Sequence, residues 1–327
     1  MLTAQVVDLL NGRLGKDLLA HLERPDVVEL LLNEDGKLWL DTYGGMIQTE
    51  QAVPPQRARS IITAVSGSSG ATTHKDSPIL ETELPGSGYR FTGTLPPVVK
   101  NPIFSIRKRA SRIFTLDDYV ADGIATDGQA TYLHEAILAK KNILISGGTG
   151  SGKTTLANAL LLEIAETDDR VILIEDTLEL QCPSANKTSL RTCATSTLQD
   201  LLRLTLRLRP DRIIVGEVRG GEALDLLKAW NTGTPGGVAT IHADTASKAL
   251  MRLEQLVSEV SVSSQRYVIS ETINVVVQIK RTALGREITE ILEVQGLSPN
   301  TTDYQTNLII PSQDRQPACH QTQGDPV

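Results

Sequence analysis

The sequence predicts an α/β protein in two parts: an N-terminal α+β domain, then a phosphate-loop domain built on a mainly parallel sheet. Three observations carry that reading. Helical runs and hairpin signals mix over the first hundred or so residues. From Thr131 onward, apolar strand-like runs alternate with leucine-rich helical runs, the mark of a parallel sheet. Residues 147–154 read Gly-Gly-Thr-Gly-Ser-Gly-Lys-Thr, a complete G-x-x-x-x-G-K-[ST] phosphate loop.

The elements follow in order. Val6, Leu9, Leu10, Leu14, Leu18 and Leu22 recur at helical spacing, so the chain starts with an amphipathic helix. Val27 to Leu32 and Lys37 to Asp41 are short strands around an Asn-Glu-Asp-Gly turn. After Pro54-Pro55, Arg57 to Val65 reads as a helix. Ile79 to Glu83 and Tyr89 to Thr94 form a second hairpin around Pro85-Gly86-Ser87-Gly88, and Ile103 to Arg107 is extended. The N-terminal domain is therefore set at 1–107, and the basic, irregular stretch that follows at 108–118 is its linker. The second domain, 119–297, has strands at Ile143–Ile145, Val171–Glu175, Arg212–Gly216 and Val238–His242. Helices fall at Thr154–Leu162, Leu198–Leu208, Glu222–Trp230, Ala246–Val260 and Ser264–Thr272, and a last hairpin joins Val275–Lys280 to Glu287–Val294 around Leu284-Gly285. From Ser298 the chain is polar, so 298–327 is expected to be a loose tail.

Composition narrows the function classes. Aromatics are 3 %, too few for a surface that stacks single-stranded bases, and the net charge of −7 disfavours direct DNA binding. Cys182, Cys193 and Cys319 form no C-x-x-C pair, so neither a disulfide framework nor a zinc site is expected, in keeping with a reducing cytosol. No apolar run approaches the roughly eighteen residues a bilayer span needs, and Asp8, Arg13, Lys16 and Asp17 interrupt any signal-peptide pattern.

Four stretches carry chemistry. The glycines of the phosphate loop let successive N–H groups turn inward around phosphate oxygens, and the helix that follows adds its positive end. Gly148, Thr149, Gly150, Ser151, Gly152, Lys153, Thr154 and Thr155 form this contact set. Lys153 is placed to reach the β- and γ-phosphates and the Thr154 hydroxyl to ligate magnesium. Next, Ile172-Leu173-Ile174 runs into Glu175-Asp176-Thr177 and Glu179, which puts Glu175 at the carboxyl edge of a parallel strand, where it can activate an attacking water. Third, Ile213-Ile214-Val215-Gly216-Glu217-Val218-Arg219 is an apolar strand ending in a Walker B acid. Glu217 suits the water shell of magnesium, and Arg219 suits either a phosphate or a neighbouring carboxylate. Fourth, Val238-Ala239-Thr240-Ile241 delivers His242 to the same edge, where it can sense the γ-phosphate.

In this order and spacing the four stretches resemble the secretion-superfamily hexameric ATPases. The segments from Arg207 to Glu222 and from Ala229 to Gly237 resemble the conjugal-transfer, TrbB-like branch of the type IV secretion ATPases in particular. The resemblance implies a homohexamer in which ATP and Mg2+ bind where the N-terminal domain meets a RecA-like domain. It gives Glu175 the role of catalytic acid, Glu217 that of the Walker B acid and His242 that of the His-box histidine. It also implies that Arg90, in Gly88-Tyr-Arg-Phe, and Arg107, in Ser105-Ile-Arg-Lys, supply charge to the nucleotide, and that Leu116 and Tyr119 lie near the adenine. The partners it implies are inner-membrane secretion-channel proteins, with the chain peripheral at the cytoplasmic face.

Thr234 stands where relatives often carry histidine, which leaves His242 alone. A type II secretion or pilus motor uses the same chemistry, but the zinc-binding tetracysteine insert of the type II relatives is missing. A nucleotide-gated scaffold with little turnover is the competing reading from another class.

Overall fold

The computed structural model describes residues 2–68, 76–109, 112–193, 195–282 and 285–309. The chain divides into two compact units, Met1–Arg112 and Ile113–Val327. The division falls inside the 108–118 stretch, of which Ala110 and Ser111 lie outside the described residues.

The N-terminal unit is an antiparallel sheet carrying two helices. Strands β1 (Val27–Leu32), β2 (Lys37–Thr42), β3 (Gly45–Ala52), β4 (Ile79–Glu83), β5 (Arg90–Thr94) and β6 (Ile103–Arg107) are ordered β3-β2-β1-β6-β5-β4. Helix α1 (Leu2–Glu23) and helix α2 (Pro55–Ser68) supply Leu10, Leu14, Leu18, Ile61, Ile62 and Val65 to one core with Leu30, Leu40, Phe91 and Ile106. Phe91 and Phe104 stack across β5 and β6 with ring centroids 5.7 Å apart. Helix α1 breaks step at Gly15, whose φ of 77° suits glycine. A Cβ there would come within 2.7 Å of Arg57, which forks onto Asp17 at 2.6 and 2.7 Å.

The second unit is a doubly covered sheet of eight strands: β7 (Ile143–Ser146), β8 (Val171–Glu175), β9 (Lys187–Arg191), β10 (Arg212–Val215), β11 (Val238–Ile241), β12 (Val275–Thr282), β13 (Gly285–Leu297) and β14 (Tyr304–Leu308). Their order is β14-β13-β12-β7-β11-β10-β8-β9. The run from β12 to β9 is parallel, and β13 and β14 extend it antiparallel. Helices α3 (Leu116–Ala121), α4 (Asp127–Leu138) and α5 (Lys153–Ala165) share a core with Ile143, Ile145, Leu173 and Ile214. Helices α6 (Leu198–Thr205), α7 (Glu222–Asn231), α8 (Ala246–Ser258) and α9 (Arg266–Thr272) share another with Leu144, Ile172, Ile213 and Val215. Neighbouring strand residues thus serve opposite faces, which is why β7, β8, β10 and β11 read as unbroken apolar runs.

Several elements differ from the sequence expectation. Strand β3 extends the first hairpin, and its polar, mostly exposed residues give no alternation to read. Strand β9 lies in a segment expected to carry no strand, and among the described residues it pairs only with β8, at the sheet edge. The tail expected to be loose from Ser298 contributes β14. Its Tyr304 is partly buried against the core, and Leu292↔Leu308 and Leu297↔Tyr304 pair it to β13. The remainder of that tail, 310–327, lies outside the described residues, as does Leu284 of the last hairpin. Helix α3 begins inside the expected linker because Thr115 and Asp118 close a capping box.

Buried polar bonds lock the amino edge of the sheet. Arg212 opens β10 with no exposure. It donates to Asp169 at 2.7 Å and to the carbonyls of Ile137 and Gly236 at 2.9 and 3.2 Å. The Asn142 side-chain oxygen accepts from the N–H groups of Gly236 and Gly237 at 2.8 and 3.0 Å. Gly237 has no room for a side chain, because a Cβ would lie 2.1 Å from the Trp230 indole nitrogen. That indole donates to the Ile213 carbonyl at 3.0 Å.

Candidate active site

The phosphate loop joins the central strand β7 to α5. Gly147 is forced to be glycine: a Cβ there would sit 2.4 Å from both the Ile279 carbonyl oxygen and Ser151 Oγ. Gly150 and Gly152 have φ of 69° and 103°, which turn the loop back to start the helix. Ser151 is buried and its hydroxyl has no hydrogen-bond partner among the described residues. Thr154 and Thr155 stand in the first turn of α5, partly exposed.

Lys153 is buried, and its ammonium donates to the carbonyls of Gly147 and Gly148, each at 3.0 Å. The same Nζ lies 3.2 Å from His242 Nδ1, at the end of β11. His242 Nε2 lies 2.7 Å from a Glu217 oxygen, past the end of β10. The other Glu217 oxygen accepts from Arg219 at 2.6 Å, and Arg219 reaches Asp176 at 3.8 Å. Three strand tips, β7, β11 and β10, are therefore linked through one chain of polar contacts. Its partners fix the histidine tautomer: an ammonium can only donate, so Nδ1 accepts and the proton sits on Nε2, facing the carboxylate. Burial and the Lys153 charge both hold the His242 pKa below its ordinary value, which favours this neutral form.

Glu175 ends β8 and is buried. One of its oxygens accepts from the N–H groups of Glu179 and Leu180 at 2.8 and 2.7 Å, so the acidic turn after β8 clamps the carboxylate. It packs beside the Walker B strand, since a Cβ on Gly216 would lie 3.1 Å from Glu175 Cγ. Thr240 Oγ1 donates to the Gly216 carbonyl at 2.6 Å and ties β11 to the same turn.

The other sequence-derived residues fall elsewhere. Tyr119 is buried in α3, and burial pushes its hydroxyl pKa up. Arg219 is more than half exposed and engaged by carboxylates, the second of its two expected roles. Arg90 and Arg107 belong to the N-terminal unit, where they are register partners across β5 and β6. Glu83 stands opposite Arg90 and Glu29 opposite Arg107, so one row across that sheet reads Glu-Arg-Arg-Glu.

Two groups close to the loop carried no sequence signal. Gln278 of β12 is fully buried; Ser146 Oγ donates to its side-chain oxygen, and its amide donates to the Ala243 carbonyl at 3.3 Å. A polar residue inside an apolar strand beside β7 is the pattern that could have flagged it. Arg286 of β13 lies against Gly152.

The chain matches the family described as "Type II/IV secretion system protein" over residues 78–323. It is 47% identical over 304 residues to the conjugal transfer protein TrbB of Rhizobium radiobacter, covering 92% of this chain and 94% of that one. It is 34% identical over 317 residues to the type IV secretion system protein PtlH of Bordetella pertussis, covering 84% and 93%. Among solved structures, the ATPase DotB of Legionella pneumophila aligns with a TM-score of 0.63 at 22% identity, covering 84% of this chain and 79% of that one, a likeness of fold. A match to three quarters of the chain, joined to a near-full-length relative at this identity, makes the protein a member of the type II/IV secretion system protein family.

Proposed function

We propose that the protein is an ATPase, working as a homohexamer, that energises a conjugal transfer or type IV secretion system. The observation that carries this is the continuous path from Lys153 through His242 to Glu217, which ties a phosphate loop to two neighbouring strand tips. The conjugal assignment draws on the near-full-length likeness to TrbB. No described helix is long and apolar enough to cross a membrane. The proposed place is peripheral, at the cytoplasmic face of the inner membrane, held by secretion-channel proteins.

Each residue has a role in this reading. The loop N–H groups and the α5 terminus bind the phosphates of ATP, and Lys153 exchanges its carbonyl partners for phosphate oxygens. Glu175, its carboxylate clamped by the turn after β8, orients and activates the attacking water. His242, neutral and set between Lys153 and Glu217, reports the position of Lys153 to Glu217 and to the start of α8. Arg90 and Arg107 neutralise phosphate charge, and Arg219 either joins them or stays with Glu217. Magnesium fits the donors present, because the Thr154 hydroxyl and Glu217 carboxylate are hard oxygens. Among the described residues no cluster of three acidic, histidine or cysteine side chains could hold a metal alone, which suits an ion shared with substrate phosphates. When bound, that ion would supply charge neutralisation to the substrate phosphates.

Steady-state phosphate release tests the reading. Wild type is expected to turn over ATP, and Glu217→Gln, which keeps the shape and removes the charge, is expected to lose at least about tenfold in rate. Equal, near-zero rates from both proteins would favour a nucleotide-gated scaffold instead.

A further inference from the structure

The start of α5 gathers positive charge from an unexpected direction. Gly152 caps the helix, and a Cβ placed on it would lie 3.0 Å from Arg286 Cδ and 3.3 Å from Arg286 Nε. Arg286, the second residue of β13, therefore lays its side chain across the helix N-terminus. Its Nε is buried with no hydrogen-bond partner, and no ion pair among the described residues includes it. Its charge also reaches the buried Tyr119, where it opposes the upward push of burial on the hydroxyl.

A cation in that position is unfavourable on its own. The helix N-terminus carries a partial positive charge, and Lys153 adds a full one next in sequence. The fully buried guanidinium of Arg212 has a full set of acceptors, Asp169 and two carbonyls, whereas Arg286 is only partly buried. Arg286 has the same donor fork without such acceptors, at the very place where backbone amides face an anion. The direction of Lys153 locates the contact along a bound polyphosphate. Its ammonium turns back over the loop to Gly147, Gly148 and His242, whereas Arg286 stays at Gly152, where the helix begins.

We infer that Arg286 is a nucleotide-binding residue whose guanidinium takes the phosphate nearest the nucleoside, the α-phosphate shared by ADP and ATP. This rests on the site being a nucleotide site. A group that holds the α-phosphate acts alike on substrate and product. It sets affinity and leaves the chemical step unchanged.

The test uses the full chain as wild type, Arg286→Ala and Arg286→Lys. Binding of a fluorescent ADP analogue is titrated, and KM and kcat for ATP are measured on the same preparations. For Arg286→Ala the expected result is a loss in ADP affinity and a parallel rise in KM, each on the order of tenfold, with kcat within about twofold. Arg286→Lys, a point charge without the fork, falls between. Unchanged ADP affinity overturns the inference. So does a fall in kcat at constant KM, which would move the contact to the γ-phosphate. Should Arg286→Ala fail to fold, Arg286→Lys carries the test alone: a smaller loss in ADP affinity supports the assignment and an unchanged affinity overturns it. Failure of wild type itself to bind ADP would remove the nucleotide site altogether. Wild-type binding with unaltered variants removes only the role of Arg286.

Discussion

His242 stands between an ammonium and a carboxylate, and this makes the path through the site sensitive to a single proton. In the neutral ring, Nδ1 accepts from Lys153 and Nε2 faces a Glu217 oxygen 2.7 Å away. Protonation turns Nδ1 into a donor facing another donor, and the link to Lys153 is lost. Burial and the Lys153 charge lower the pKa from 6.5, so the neutral form is held further into acid than in a free histidine. The sign follows: turnover stays level at neutral pH and falls on the acid side with a midpoint below 6.5. His242→Gln, which cannot titrate, should be slower by at least about tenfold and lack that limb. Initial rates of both proteins between pH 5 and 8 check this; a wild-type midpoint above 6.5 would contradict the direction of the shift.

At the scale of elements, strands β7, β8, β10 and β11 each place one chemical group where an apolar run stops, and this is why their tips were readable. A strand buried on both faces needs every residue apolar, so the first polar side chain after the run marks the exit from the core. Glu175, Glu217 and His242 follow from that logic, and Lys153 follows from the phosphate loop after β7. Strands β3, β9 and β14 do not, because edge strands with exposed faces carry no such pressure. Arg286 follows a turn glycine in a hairpin, and nothing in its neighbours announces the helix it lies across. Arg212 reads as a polar opening to an apolar strand, yet it is wholly buried as a clamp on Asp169. Burial raises the Asp169 pKa, but hydrogen bonds from Lys140 and Arg212 lower it further, so the carboxyl lies below 3.8. Its stabilising effect is therefore present above that value and is lost as pH falls through the lower, folded value. Arg212→Ala should destabilise by about 2–3 kcal/mol at neutral pH, because it strips Asp169 of one of its two cationic partners and leaves the buried carbonyls of Ile137 and Gly236 without their donor. Asp169→Asn should flatten the acid limb of stability below about pH 4. Urea midpoints from pH 2 to 7 measure both, and an Arg212→Ala midpoint equal to wild type would show that the clamp is dispensable.

For the whole molecule, the open question is what the N-terminal unit contributes to turnover. In the row Glu29, Arg107, Arg90, Glu83, the two arginines are direct cross-strand neighbours. Like charges so placed repel, and the flanking carboxylates offset that repulsion. In the proposed function these two half-buried arginines meet the phosphates of ATP. Their proposed use in hydrolysis was legible only through resemblance, since neither arginine belongs to a motif in its own strand. If the unit serves assembly alone, removing one arginine should alter the oligomer and leave the rate per assembled protein intact. If the arginine neutralises phosphate charge, the opposite split is expected: Arg107→Ala keeps its mass and melting temperature while phosphate release falls by about tenfold or more. Native mass and phosphate release, measured on the same samples with and without magnesium-ATP, separate the two. Wild type is expected at six protomer masses with magnesium-ATP, and a monomer or dimer under those conditions would end the ring reading. An Arg107→Ala protein with both mass and rate unchanged would take Arg107 out of the chemistry and return the row to a purely structural charge ladder.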